Sequence, residues 1–326
     1  MSIDAPPKQP DRPVTTASTQ VEETYYGRPV IKAAHWRWLV ITYFFLASLT
    51  GTSAALATLA ELFTRDRALV RVARYLALAT AIPAPILLVL DLGRPERALN
   101  MFRIVKLRSM MSLGSWALLI HGLSSGALGS LQFLADVTHH DTLGGLRRGL
   151  GLVTMPISLF VSGYTGLLLA ATNVPLWARN SLLMGPTFLT SSFSSTLSLV
   201  SLVLRLVGSE RPETERSLAR VETICLAAEL GLLLAGIRRL GSLGKPLTSG
   251  RWGSLFWPFT FVGGVVVPLA LHLSGPLRGK ETNHNARAAA AILALLGSYV
   301  LRMVLMFAGK ESADRPEYYF EYTKTR

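Results

Sequence analysis

Long apolar runs recur along this chain, and they limit its fold more than any other feature of the sequence. A transmembrane helix needs roughly 20 mostly apolar residues, and eight segments reach or approach that length. They cover residues 39–60, 72–91, 110–134, 149–172, 182–206, 219–237, 253–274 and 287–308. Charged residues shorten the apolar core of the second and sixth of these runs. The pattern predicts an all-α fold, a polytopic membrane protein with eight transmembrane helices arranged as two four-helix bundles.

The composition indicates that a lipid bilayer is the solvent of this fold. Half of the residues are hydrophobic and only 16% are charged, whereas soluble domains carry about 25% charged residues. The net charge of +13 is spread between the runs, which favours contact with anionic lipid headgroups over binding of nucleic acid. The single cysteine, Cys225, excludes an intrachain disulfide and a cysteine-ligated iron–sulfur cluster within this chain.

The sequence divides into three parts. Residues 1–34 are rich in proline and polar residues, and we expect a disordered tail there. Residues 35–308 contain the eight runs, and residues 309–326 form an aromatic and polar C-terminal tail. Short connections make neighbouring helices antiparallel, so eight crossings place both ends of the membrane domain on one side. The distribution of lysine and arginine among the loops leaves the orientation open.

Ionisable side chains inside apolar runs are costly in lipid and are therefore candidate functional residues. Glu222 and Glu229 are seven residues apart, which places them on one helix face, roughly 10 Å apart along the axis. Arg302 in the eighth run requires an acidic partner, and one of these two glutamates is the expected one. An interhelical ion pair that fixes packing and a relay of carboxylates for protons remain alternative interpretations.

Acidic residues also stand at the ends of two runs. Asp91 ends the second run, and Arg94 follows three residues later, close enough to meet it on one helical turn. A solvated helix end is the alternative for Asp91. Glu61 closes the first run, and we expect it at the membrane interface. His121 and His272 show no spacing typical of haem ligation, so we expect them to be hydrogen-bonded packing residues.

Aromatic residues suggest a site for a polar ligand with an apolar body. Trp36, Tyr43 and Thr50 recur every seven residues and form one stripe on the first helix, and Tyr164 lies inside the fourth run. A tyrosine hydroxyl in a membrane needs a hydrogen-bond partner. Tyr43 and Tyr164 could donate to a carbonyl in an apolar pocket, as quinone binding requires. Trp36 could instead belong to the interfacial aromatic belt.

Four segments carry a resemblance to a known family. They are "YYGRPVIK" (25–32), "DLGRPERALNMFRIVKLRSMMSLGSW" (91–116), "SGYTGLLLAATNVPLWARN" (162–180) and "LRMVLMFAGK" (301–310). With them the sequence resembles the NrfD/PsrC family, the membrane subunits of polysulfide-reductase-like oxidoreductases. Met110 stands where the family motif usually has proline. Val40 and Tyr43 stand where some relatives carry asparagine and histidine on the first helix.

The resemblance implies a multi-pass, eight-helix subunit in a bacterial or archaeal cell membrane. Such a subunit binds menaquinone or ubiquinone near one membrane face and holds no metal or haem itself. It docks a ferredoxin-like iron–sulfur subunit, which connects to a molybdopterin or other catalytic subunit. The resemblance also implies that Tyr164 faces the quinone and that Asp91, at the same face, is the local proton acceptor.

These expectations combine into one predicted site and one predicted function. The residues expected to handle protons or charge are Asp91, Glu61, Glu222, Glu229 and Arg302, and those expected around the quinone are Tyr164, Tyr43, Trp36 and Asp91. The protein is then a quinone-reactive subunit of a respiratory oxidoreductase, inactive alone, whose electron transfer could be coupled to proton movement. The alternatives are a structural anchor without quinone chemistry, a small-solute transporter with inverted repeats and, last, a haem-bearing cytochrome b subunit.

Overall fold

The structure, a computed structural model, describes residue 31 and residues 36–64, 66–277 and 284–324. Almost all of these residues are helical, and the described ranges contain no strand. This confirms the all-α prediction. The disordered tail expected over residues 1–34 falls outside the described residues, apart from residue 31.

Most helices follow one another with short connections, and the exception is the 18-residue segment 92–109 between the third and fourth helices. In chain order they are α1 (Trp38–Phe63), α2 (Arg67–Ala81), α3 (Pro83–Asp91), α4 (Met110–Thr138), α5 (Gly144–Ala170), α6 (Pro175–Arg179), α7 (Ser181–Leu206), α8 (Pro212–Leu240), α9 (Lys245–Thr248), α10 (Gly250–Leu255), α11 (Val267–Leu277), α12 (His284–Asp314) and α13 (Pro316–Lys324). Two 3-10 segments, Pro95–Phe102 and Gly241–Gly244, and one π-helical segment, Phe256–Val266, lie between them. The C-terminal tail expected from residue 309 therefore begins inside α12 and continues as α13.

Seven helical segments of the described residues are long and apolar enough to cross a membrane. They are α1, α2 with α3, α4, α5, α7, the continuous segment Gly250–Ser274, and α12. Seven of the eight predicted runs coincide with them. The sixth run corresponds to α8, whose 17 residues between Arg220 and Arg238 include Glu222 and Glu229. The predicted count of eight spans is therefore not confirmed.

Prolines explain where the second span is interrupted. Pro83 and Pro85 open α3 directly after Ile82, and proline lacks the N–H that would continue the hydrogen-bond ladder of α2. A different close contact joins the π-helical segment to α12. A Cβ at Gly264 would lie 2.6 Å from the Cα of Gly297, so these two backbones touch at a point where only glycine fits.

The long helices pack in two groups that share an interface. In the first group α1 contacts α2 and α5, and α4 contacts α2 and α5. In the second group α7 contacts α8 and α12, and α12 contacts the π-helical segment and α11. However, α1 and α5 also pack on α7, and one buried apolar cluster includes residues of both groups. The division into two four-helix bundles therefore stays a prediction.

Contacts between helix ends define two opposite faces of the molecule. We call face A the end that holds Trp36, Asp91, Met110 and Lys310, and face B the end that holds Glu61, Asp66, Arg147 and Thr214. On face A the starts of α1 and α4 meet the ends of α3, α5 and α12. On face B the end of α1 meets α2 and the start of α5. Asp66, the N-cap residue of α2, meets the start of α8.

Candidate functional site

Tyr164 is held at face A by the start of α4. Its hydroxyl donates a 2.9 Å hydrogen bond to the carbonyl of Met110. Its ring lies directly against Gly114, where a Cβ would be 1.9 Å from the Tyr164 Cζ, and it packs against Phe160 at 5.6 Å. The orientation of this buried tyrosine is therefore set by a glycine and a backbone carbonyl.

Tyr43 comes from a different helix, and its phenol is within electrostatic range of Tyr164. It is buried on the second turn of α1, where its ring packs on Phe44 at 5.7 Å. The phenol groups of Tyr43 and Tyr164 are close enough to interact electrostatically. The structure thus brings together the two tyrosines that the sequence predicted for one site.

Trp36 belongs to an aromatic cluster that ties the start of α1 to α6 and α12. Its ring stacks on Trp177 at 5.9 Å and meets the edge of Phe44 at 6.0 Å. The Trp177 indole N–H donates to the carbonyl of Leu305 at 2.8 Å. A Cβ at Gly309 would lie 2.1 Å from the Trp177 Cε2. Trp36 is therefore packed against two aromatic rings of the protein at face A.

Asp91 joins three helix ends at face A. Its half-buried carboxylate accepts a hydrogen bond from the backbone N–H of Arg37 and interacts with the charges of Arg37 and Lys310. Lys310 also donates to the carbonyl of Trp36. The helix ends at Asp91, and Gly93 then adopts a φ of 67°, so the expected meeting of Asp91 and Arg94 on one helical turn does not occur.

Glu61 lies at the opposite end of α1, on face B. Its carboxylate bridges Arg74 at 2.5 Å and Arg147 at 2.7 Å, with only 6% of its side chain exposed. Eighteen residues separate it from Tyr43, about 27 Å along the helix axis. The structure therefore separates Glu61 from Asp91, although both were predicted to handle protons at one site.

Arg302 is fully buried on α12, where it faces α1 of the first helix group as well as α7 of the second. Its guanidinium donates to the Ser298 carbonyl and hydroxyl at 2.8 and 2.5 Å, to Ser48 Oγ at 2.8 Å and to Ser192 Oγ at 2.9 Å. Glu229 is the acid that attracts it electrostatically. Glu229 of α8 is thus the expected acidic neighbour of Arg302, but the described contacts include no direct ion pair between them, and the guanidinium donates to serines instead.

Glu229 is connected to that arginine through serines. Ser194 Oγ donates to its carboxylate at 3.1 Å, and Ser191 hydrogen-bonds to it as well. Ser191 Oγ in turn lies 2.9 Å from Ser298 Oγ, and Ser298 contacts Arg302. A buried acid and a buried base are thus linked by a short chain of hydroxyl groups.

Glu222 has partners of its own, seven residues before Glu229 on the same face of α8. Ser198 Oγ donates to its carboxylate at 2.5 Å. The His272 Nε2 lies 3.4 Å from its other oxygen, and both side chains are buried. His272, which we expected to be a hydrogen-bonded packing residue, is buried and faces this carboxylate. The prediction of a packing histidine is confirmed for His121, whose ring nitrogens lie within hydrogen-bond distance of three hydroxyl groups.

These contacts form a buried polar track made of two clusters, which Ser198 and Ser194 place one turn apart on α7. The first cluster is His272, Glu222 and Ser198, and the second is Ser194, Glu229, Ser191, Ser298 and Arg302. The serines were not among the predicted site residues. Their signal was present, because Ser191, Ser194 and Ser198 recur every three to four residues and share one face of α7.

The comparisons with known proteins agree with this architecture. The family model described as "Polysulphide reductase, NrfD" matches residues 30–312. The C subunit of the polysulfide reductase of Wolinella succinogenes is 25% identical, over 84% of this chain and 94% of that protein. A protein NrfD homolog of Haemophilus influenzae is 27% identical, over 47% of this chain and 50% of that protein. With a match over most of its length, this chain belongs to the polysulphide reductase NrfD family of membrane proteins.

Proposed function

We propose that this chain is the quinone-reactive membrane subunit of a respiratory oxidoreductase complex in a prokaryotic cell membrane. Its substrate is menaquinone or ubiquinone, which exchanges electrons with an iron–sulfur subunit docked at face A. Family membership supports the general role. The observation that carries the proposal is the meeting of two buried tyrosines, Tyr43 and Tyr164, at the same membrane face as the half-buried Asp91.

The face A residues suit a ligand with carbonyl oxygens and an apolar body. A quinone supplies two-electron, two-proton chemistry when it is bound. The Tyr164 hydroxyl already donates to the Met110 carbonyl. We therefore assign to Tyr43 the hydrogen bond to a quinone carbonyl, and to Tyr164 the orientation of the quinone ring. Asp91 holds or releases a proton at its carboxylate, and Arg37 and Lys310 keep that group in place. The Trp36 cluster forms an apolar wall that excludes water.

The segment that follows Asp91 suits the docking of an acidic partner. Its basic residues are Arg94, Arg97, Arg103, Lys106 and Arg108. Leu99, Ile104 and Leu107 are largely exposed between them. Basic side chains steer an acidic protein toward this face, and exposed leucine and isoleucine side chains provide the apolar contact.

The buried polar track supports proton movement coupled to electron transfer. Glu222, Glu229 and Arg302 are the ionisable members, and the serines of α7 supply hydroxyl groups between them. The same contacts support α8 as the eighth membrane span, because its two acids find polar partners on α7 and in His272 rather than facing lipid. The transporter alternative predicts broken helices at matching positions of two halves. The described breaks are at Ile82, in the second predicted run, and at the π-helical segment, in the seventh. These two runs do not occupy matching positions in two halves of four.

Binding of a quinone-site inhibitor to the purified complex tests the proposal. We would titrate a fluorescent alkyl-hydroxyquinoline N-oxide and follow the quenching of its fluorescence. Tyr43→Phe removes one hydrogen-bond donor, so binding should weaken about threefold to tenfold. Tyr75→Phe is the matched control, because the Tyr75 hydroxyl donates to Asp136 on face B. This variant should bind the inhibitor with the affinity of the wild type. Tyr164→Phe should also weaken binding, through the lost bond to Met110.

Two results would count against the proposal. Absence of saturable binding in the wild-type complex would favour the structural anchor without quinone chemistry. If Tyr43→Phe and Tyr164→Phe bind the inhibitor as tightly as the Tyr75→Phe control, the quinone does not bind at the tyrosine pair of face A.

A further inference from the structure

Face B contains a second site-like feature, a polar cavity of about 520 Å³. The end of α1, the start of α2, the end of α4 and the start of α5 enclose it. Glu61 and Arg147 lie in its wall, so it is separated from the Tyr43–Tyr164 pair by most of the length of α1. The proposed quinone chemistry at face A does not use it.

Four carboxylates line the cavity, and two of them, Glu61 and Asp136, already accept hydrogen bonds from protein donors. Glu61 accepts from Arg74 and Arg147. Asp136 accepts from Arg71 at 2.8 Å, and also from a tyrosine hydroxyl and a glutamine amide. Their charges and lone pairs are therefore satisfied within the fold.

The other two carboxylates are engaged as well. Asp66 caps α2 by accepting from the backbone N–H groups of Ala68 and Leu69 at 3.0 and 3.3 Å, and it also accepts from the Thr214 hydroxyl. Asp141 accepts from Arg147 at 3.2 Å. The acids of the cavity thus serve structure and leave little capacity to attract a cation.

The groups that remain available are mainly cationic donors. Arg67 and Arg148 line the cavity, and the side chain of neither makes an ion pair or hydrogen bond with another residue among those the structure describes. Four arginines line the cavity, and a fifth, Arg74, pairs with Glu61 behind its wall. The cavity has four acids, so one positive charge is in excess before His139 and His140 are considered. The cavity therefore favours an anion.

One buried acceptor narrows the class of anion. Gln132 is 7% exposed and lines the cavity. Its amide nitrogen donates to Asp136 at 3.0 Å, which fixes the orientation of the amide. Its Oε1 is buried and has no hydrogen-bond partner within the described part of the protein. A buried acceptor of this kind is costly unless a ligand or water donates to it, so the fitting anion also carries a hydroxyl group.

We propose that this cavity binds a phosphate ester that carries a hydroxyl group, the chemistry of a glycerophosphate headgroup. The guanidinium groups of Arg67 and Arg148 contact the phosphate, because a planar fork of donors matches its oxygens. Gln132 Oε1 accepts from the hydroxyl group. The position at a membrane face places the cavity at the depth of lipid headgroups. Phosphatidylglycerol and a soluble glycerol phosphate share this chemistry, and the experiment separates them.

The test uses the intact complex purified in detergent. Native mass spectrometry would count phosphatidylglycerol and phosphatidylpropanol retained from a mixed supply, since phosphatidylpropanol carries the same anionic phosphodiester but no headgroup hydroxyl. The wild type should retain phosphatidylglycerol preferentially. Arg67→Gln and Arg148→Gln should each lower that retention about fivefold. Gln132→Leu should remove the preference over phosphatidylpropanol. Arg238→Gln changes an exposed arginine on face A, and this variant should retain lipid like the wild type.

A second arm identifies the source of the phosphate ester. Glycerol 3-phosphate would be added and the unfolding temperature measured for the wild type and Arg148→Gln. Stabilisation of the wild type alone, without selective lipid retention, would assign the cavity to a soluble ester and support the same chemistry. If the arginine variants retain phosphatidylglycerol like the wild type and glycerol 3-phosphate stabilises neither protein, the cavity does not bind phosphate esters.

Discussion

Replacement of Arg302 by methionine should be among the most destabilising single changes in this protein. The side chain is fully buried and donates four hydrogen bonds of 2.5–2.9 Å to Ser298, Ser48 and Ser192. Methionine fills similar volume but leaves these acceptors and the carboxylate of Glu229 without their cation. Breaking a buried charge pair by removing one partner costs about 3–5 kcal/mol. We expect Arg302→Met to lower the free energy of unfolding by that amount.

A double-mutant cycle separates electrostatic coupling from lost packing. Glu229→Gln removes the acid while keeping its shape and its bonds to serine. If the two charges stabilise one another through Ser191 and Ser298, the double variant Arg302→Met/Glu229→Gln should lose less stability than the sum of the two single changes. We expect a coupling free energy of about 1–3 kcal/mol, as for residues within one hydrogen-bonded network.

The free energy of unfolding can be measured by titrating the protein from mild detergent into dodecyl sulfate and following its helical circular dichroism. Arg315→Met is the matched control, because Arg315 pairs with Glu311 at 2.7 Å on the surface of the protein. Such an exposed pair contributes about 0.3–0.5 kcal/mol. Equal losses in Arg302→Met and Arg315→Met, or strictly additive effects in the cycle, would refute the reasoning that Arg302 and Glu229 are electrostatically coupled.

The remaining predictions concern Glu61 and Gly309. Glu61→Gln leaves Arg74 and Arg147 buried without their shared carboxylate, so the same titration should show a loss of about 3–5 kcal/mol; a loss below that of an exposed pair would mean that water reaches both guanidiniums. Gly309→Ala places a Cβ 2.1 Å from the Trp177 ring, which should cost about 1–3 kcal/mol and weaken inhibitor binding at face A, whereas wild-type stability would show that Trp177 can move.

Part of this site was predictable from the sequence because helical periodicity is a local property. Glu222 and Glu229 were predicted on one face of one helix, and both are buried on α8 facing α7. Tyr43 and Tyr164 were predicted to share a site, since antiparallel neighbours return to the same membrane face. Periodicity does not state which residue of a neighbouring helix lies opposite, and for that reason the partner of His272 was missed.

The sequence by itself determined that the protein is an all-helical membrane protein, because a bilayer demands apolar runs of a set length whatever they pack against. It also determined which residues are costly to bury. Only the tertiary structure decided how that cost is offset: Asp91 meets Arg37 and Lys310, and Glu61 lies a helix length away between two arginines. Hydrogen bonds and charge pairs act over a few ångströms between residues distant in sequence, so their partners depend on helix rotation and depth.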